Sequence, residues 1–150
     1  MKRVPELHGL SDDHHNGLVL ARRCREAGRE DSETSPELVW KHAQETFAIQ
    51  LDPHFKIEEQ HLLPGLEAIG EASLANRIRE DHSALRALQR VEPVNRLLLK
   101  RFGELLEAHI RYEEREVFET TQHLISADVL EAIASACHAL PRVCSTSLES

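Results

Sequence analysis

The chain has 150 residues, 41% hydrophobic and 29% charged, values that suit one soluble domain with room for a sizeable core. Its formal charge of -8 has the wrong sign for a surface that grips phosphates, so nucleic acid is excluded as the expected partner. No apolar run approaches the roughly 18 residues of a membrane span. The start, Met1-Lys2-Arg3-Val4-Pro5-Glu6, lacks the apolar stretch of a signal peptide, and a cytoplasmic location is expected.

With only 6 Gly and 6 Pro, and with Leu, Ala, Glu and Arg dominant, the composition favours helix over strand. Ser11 reads as an N-cap, with Asp12 and Asp13 suited to the positive end of a helix dipole. Helix A is expected over about 11–28, where Gly28 ends the apolar run. Ser35 and Pro36 open helix B as N-cap and first residue, and Pro64-Gly65 is expected to stop it at about Leu63. Pro53 lies inside that run. With no Gly and no polar loop to separate the halves, one long helix kinked at Pro53 is expected. Helix C follows over about 71–90, helix D over about 94–120, and Ser126-Ala127-Asp128 caps a short fifth helix to about Ala139. The expected fold is all-α: an up-down-up-down four-helix bundle with a short C-terminal helix. It forms a single domain over 1–150, with its core at about 8–140 and a frayed polar tail over 141–150.

Cys24, Cys137 and Cys144 form no CxxC motif and are odd in number, and they read as reduced thiols. Histidine is the unusual component, at 10 residues against 1 Trp, 1 Tyr and 1 Met. The histidines are dispersed, which excludes a tag.

The two halves of the chain repeat one another. Helix B carries His54-Phe55-Lys56-Ile57-Glu58-Glu59 and helix D carries His109-Ile110-Arg111-Tyr112-Glu113-Glu114. On the first helix of each half, Asp13-His14-His15-Asn16-Gly17-Leu18 aligns with Glu80-Asp81-His82-Ser83-Ala84-Leu85, which pairs His15 with His82. Each half therefore offers a lone His and an HxxxE pair. Residues i and i+4 share one helix face, so each pair can address one cation or two adjacent ones. Imidazole with carboxylate and no thiolate suits first-row transition metals, and the set describes a di-iron or di-manganese centre. A lone HxxxE is more often a surface pair. Two copies turned into a core without metal would leave several polar groups buried at a cost of several kcal/mol each.

The segments Leu10 to His15, His54 to Pro64 and His109 to Glu114 resemble the hemerythrin HHE cation-binding family, over about residues 8–140. The resemblance implies a four-helix bundle around an oxo- or hydroxo-bridged pair of iron ions, with manganese or zinc as alternative occupants. It implies His15, His54, His82 and His109 as nitrogen ligands and Glu58 and Glu113 as bridging carboxylates. His14 competes with His15 for the helix A position, and His61, on the His54–Glu58 face, is a further candidate ligand or entrance residue. Oxygen-carrying hemerythrins have a second helix C histidine and HxxxxD on helix D. This chain has Ile78 and Arg86 around His82 and Glu113 at i+4, closer to the intracellular HHE branch. Glu59 and Glu114 read as solvated or supporting residues, and Tyr112 as packing. His8, His42, His123 and His138 read as surface residues.

The leading expectation is a non-haem di-iron protein that binds or senses oxygen, peroxide, nitric oxide or iron itself. The alternative is a di-iron oxidase, peroxidase or iron-centre repair enzyme. Only Glu58-Glu59-Gln60-His61 supplies the ExxH motif of ferritin-like oxidases, which need two. Signalling would pass through a partner protein, a homodimer among the candidates.

Overall fold

The computed structural model describes residues 2–140, and the expectations for Cys144 and for the 141–150 tail lie outside them. The described residues form a helical bundle with no strand. α1 spans His8–Ala27 behind a short 3₁₀ turn, Pro5–Leu7. α2 is continuous over 36–68, with α-helical segments Pro36–Thr46, Asp52–Ile57 and Leu63–Ala68 joined by π turns at Phe47–Leu51 and Glu58–Leu62. α3 is Ala72–Leu88. α4 covers 96–124, as Arg96–Tyr112, a π turn at Glu113–Val117, and Phe118–Leu124. α5 is Ala127–Ala139. None of these helices is long and apolar enough to cross a membrane.

Capping explains most boundaries. Ser35 Oγ accepts from Leu38 N at 3.4 Å, Asn95 Oδ1 from Leu98 N at 2.8 Å, and Ser126 Oγ from Val129 N at 3.4 Å. The expected Ser11 cap is corrected: α1 begins at His8, and the Ser11 hydroxyl instead donates to Glu114 Oε1 at 2.8 Å. The 3₁₀ turn supplies the entry that a cap would otherwise give, through Leu7 N to Val4 O at 3.1 Å.

The expected stop at Pro64-Gly65 is also corrected. Pro53 and Pro64 each sit two residues beyond a π turn, marked by the bonds Asp52 N to Phe47 O and Leu63 N to Glu58 O. A proline lacks the donor and crowds the carbonyl four residues back, and the wider turn relieves both. α2 ends instead where Gly70, at φ 84°, turns left-handed, closed by Glu71 N to Leu66 O at 2.8 Å and Gly70 N to Glu67 O at 3.1 Å.

α1 and α4 pack along one another. Their backbones approach so closely at Gly103 that a Cβ there would lie 2.6 Å from Ala21 O. α5 closes one end of the bundle over the 3₁₀ turn and the second π turn of α2. The apolar core is split into two clusters, one around Leu10, Leu62, Ile78, Val117 and Phe118, the other around Leu20, Leu51, Leu85, Phe102 and Leu106. Every bundle helix changes from one cluster to the other across a single polar stretch. On α1 it is His14, on α2 His54 and Glu58, on α3 His82, on α4 His109 and Glu113.

Candidate metal centre

These six side chains are the polar layer between the two apolar clusters, and each is at most 4% exposed. They form two groups of four donors, His14, His54, Glu58, Glu113 and Glu58, His82, His109, Glu113, each with donor atoms within 4.8 Å of one another. Glu58 and Glu113 belong to both. The shared membership places the two groups side by side, each able to hold a cation, with both carboxylates common to them.

His54 Nε2 lies 3.3 Å and His82 Nε2 3.2 Å from Glu58 Oε1, while His14 Nε2 is 3.8 Å from Glu113 Oε1, with His109 Nε2 close to the same oxygen. None of these approaches satisfies hydrogen-bond geometry. The four Nε2 atoms and all four carboxylate oxygens are buried and without a hydrogen-bond partner. Native interiors rarely tolerate one such group, and several at one point are unstable without a further partner. Imidazole nitrogen and carboxylate oxygen are the donors that first-row cations take, and the set fits a metal pair.

The opposite edge of every imidazole is occupied. His54 Nδ1 pairs with Asp13 at 3.0 Å, His109 Nδ1 with Asp81 at 2.9 Å, His82 Nδ1 with Glu59 at 2.7 Å and His14 Nδ1 with Glu114 at 2.9 Å. A carboxylate on Nδ1 fixes the tautomer whose Nε2 lone pair faces the layer and raises its basicity. Asp13, Asp81, Glu59 and Glu114 thus hold the imidazoles. The sequence suggests only a helix-dipole role for Asp13 and none for Asp81, although the dipeptide Asp-His recurs as Asp13-His14 and Asp81-His82.

That recurrence corrects the helix A position. His15 is exposed, and His14 occupies the layer. The buried seam of α1 runs Leu10, His14, Gly17, Ala21, Cys24, in steps of four and three, and His15 lies about 100° of helix rotation away from it. Aligning Leu18 with Leu85 had shifted the repeat by one residue. His61 is half-buried and in neither donor group. The π turn at Glu58–Leu62 widens the helix there, so the residue three after Glu58 does not stay on the His54–Glu58 face. A π turn also starts at Glu113, with no proline beyond it, so both shared carboxylates open a widened turn.

Tyr112 packs in the core under the Arg77 guanidinium, 3.9 Å from its ring centroid. His8, His123 and His138 are exposed as expected. His42 is half-buried, with its Nε2 enclosed.

The electrostatics follow the same pattern. Burial opposes charge on His54, yet the Glu58 charge and the Asp13 contact hold its imidazole well above the usual range. Burial also works against His109, whose pKa Glu113 and Asp81 nevertheless raise to about 10. Burial would raise the Glu58 carboxyl, but the charge of the His54 imidazole holds it well below normal. Glu113 is raised by burial and by the Glu58 charge. Opposite shifts on two carboxyls sharing one buried site are the signature of mutual repulsion. Burial would lift Glu59 too, but His82 and Arg86 bring it down to about 2.

The hemerythrin HHE cation binding domain model matches residues 6–121. No curated relative and no solved structure matches the chain significantly. The match encloses all six inward donors and the four carboxylates behind them, and this chain belongs to the hemerythrin HHE cation-binding domain family.

Proposed function

We propose that the six inward residues bind two iron ions, and that the pair binds a small oxidant (oxygen, peroxide or nitric oxide) or registers iron supply. The observation that carries the reading is the convergence of eight buried, unpartnered donor atoms on one layer. Iron held there supplies reversible redox chemistry and coordination positions for a small ligand. His14 and His54 serve one ion, His82 and His109 the other, and Glu58 and Glu113 serve both. Each ion would have four protein residues to hold it, and a small ligand would supply further donors. Asp13, Asp81, Glu59 and Glu114 orient the imidazoles, and the apolar clusters above and below exclude bulk water. The reading places the protein in the cytoplasm, with any onward signal passing through a partner, a second copy of the chain included.

The test is anaerobic loading with ferrous iron and metal quantification, followed by exposure to oxygen, nitric oxide and peroxide in turn. Two ions per chain and new visible absorption with one of these ligands are expected. A chain that binds fewer than two ions, or shows no spectral response, removes the proposal. Sustained peroxide turnover in the same protein would favour the enzymatic alternative over sensing.

A further inference from the structure

The two donor groups are related by the internal repeat, yet their outer supports come from different parts of the chain. Behind His82, Glu59 is gripped by both terminal nitrogens of Arg86, at 2.7 and 3.1 Å, and Arg86 also donates to Asp52 at 2.8 Å. Behind His14, Glu114 accepts from the Arg3 guanidinium at 3.0 Å and from Ser11 at 2.8 Å. Each arginine also lies over the phenylalanine on which its histidine stacks. Arg86 is 5.6 Å from the Phe55 centroid, with Phe55 and His82 stacked at 3.9 Å; Arg3 is 5.5 Å from Phe118, with Phe118 and His14 stacked at 5.1 Å.

The chemistry on the two sides is alike but the tethering is not. Arg86 is one turn beyond His82 in the same helix. Arg3 precedes α1 altogether, in a segment fastened to the far end of α4. Its guanidinium donates to Glu114 O at 2.9 Å and to Glu119 and Gln122 at 3.4 Å each, and Val4 N donates to Gln122 at 3.3 Å. Ordering such a segment costs conformational entropy that a residue within a helix has already lost. The donors on that side are also the more widely spread, with His14 Nε2 standing 3.8 Å from Glu113.

We propose that Arg3 is a positioning residue that makes the His14–His54 site depend on the docked N-terminal segment. Arg86, the counterpart behind His82, is anchored within α3, so the two sites differ in affinity and the His14–His54 site empties first. This rests on the two-cation reading above.

The experiment is an anaerobic titration of the metal-free protein with ferrous iron, resolving each equivalent. The unaltered chain takes two, the second more weakly. Arg3→Ala weakens that second equivalent about ten- to a hundredfold and leaves the first within about twofold, while Arg86→Ala acts on the first. Arg3→Lys, which keeps the cation without the fork, recovers part of the loss. Adding His14→Ala to Arg3→Ala weakens binding no further than His14→Ala alone. Circular dichroism and melting of the metal-free variants show the fold intact, so the effect is on the site. Equal weakening of both equivalents, or unaltered binding by Arg3→Ala, overturns the assignment. Fewer than two ions on the unaltered chain instead fails the two-cation reading itself, and this inference with it.

Discussion

His109 pairs through Nδ1 with the Asp81 carboxylate at 2.9 Å, and its Nε2 is thereby turned into the buried layer with no other partner. Asp13 does the same for His54 at 3.0 Å, so an aspartate orients one imidazole of each donor group and a glutamate the other. Asp81→Asn keeps the size of the side chain but removes the charge that fixes the ring. Metal affinity should fall about ten- to a hundredfold, with helix content unchanged. Competition against a chromophoric chelator would measure it, and an affinity equal to that of the unaltered chain would show that Asp81 does not orient the ligand.

Removing metal should cost stability, because the Glu58 and Glu113 oxygens lie at 0% exposure without hydrogen-bond partners. A ligand that binds only the folded state adds about 2.7 kcal/mol when its free concentration is a hundred times Kd. Calorimetric melts with and without excess ferrous iron, under anaerobic conditions, should therefore separate by several degrees, and the difference should grow with metal concentration. Coincident melts would mean that no cation relieves the layer.

Two adjacent histidines give the most direct test of the seam on α1. His14 is 4% exposed and within the first donor group, whereas His15 faces solvent. His14→Ala should lower the bound metal from two ions towards one, and His15→Ala should leave it at two. Elemental analysis of purified variants decides between them. The reverse result would restore His15 to the site.

The HxxxE pairs and the lone His82 were legible because an i, i+4 face and its apolar flanks survive in a sequence whatever the local detail. The helix A ligand was not, because Gly17 and Cys24 are buried positions that carry no large side chain, so the seam through His14 was masked and Leu18 attracted the alignment. The start of α2 at Ser35-Pro36 was legible, but its far end was misread for a related reason. A proline signals a stop only if the helix is regular, and the π turns before Pro53 and Pro64 absorb what each proline lacks. Asp13 and Asp81 were passed over as dipole-friendly or unremarkable acids. Their roles depend on pairing with a histidine of another helix, and single-chain periodicity holds no record of such a pairing.

Cys24 allows a test in which no metal takes part. It lies in the second apolar cluster at 0% exposure, and burial pushes its thiol from 9.0 to about 12, against a smaller lowering by Arg23. The folded state therefore holds the proton that the unfolded chain gives up near pH 9. Stability from this group is complete below that pH and is lost as pH rises from about 9 towards 12. In a chain carrying Cys137→Ser and Cys144→Ser, a thiol reagent at pH 8 should label Cys24 only as fast as the protein opens, and at once in denaturant. The same chain should lose melting temperature between pH 9 and 11 more steeply than one that also carries Cys24→Ala. Prompt labelling of the native protein, or parallel pH profiles for the two chains, would place Cys24 within reach of water and contradict the packing of this cluster.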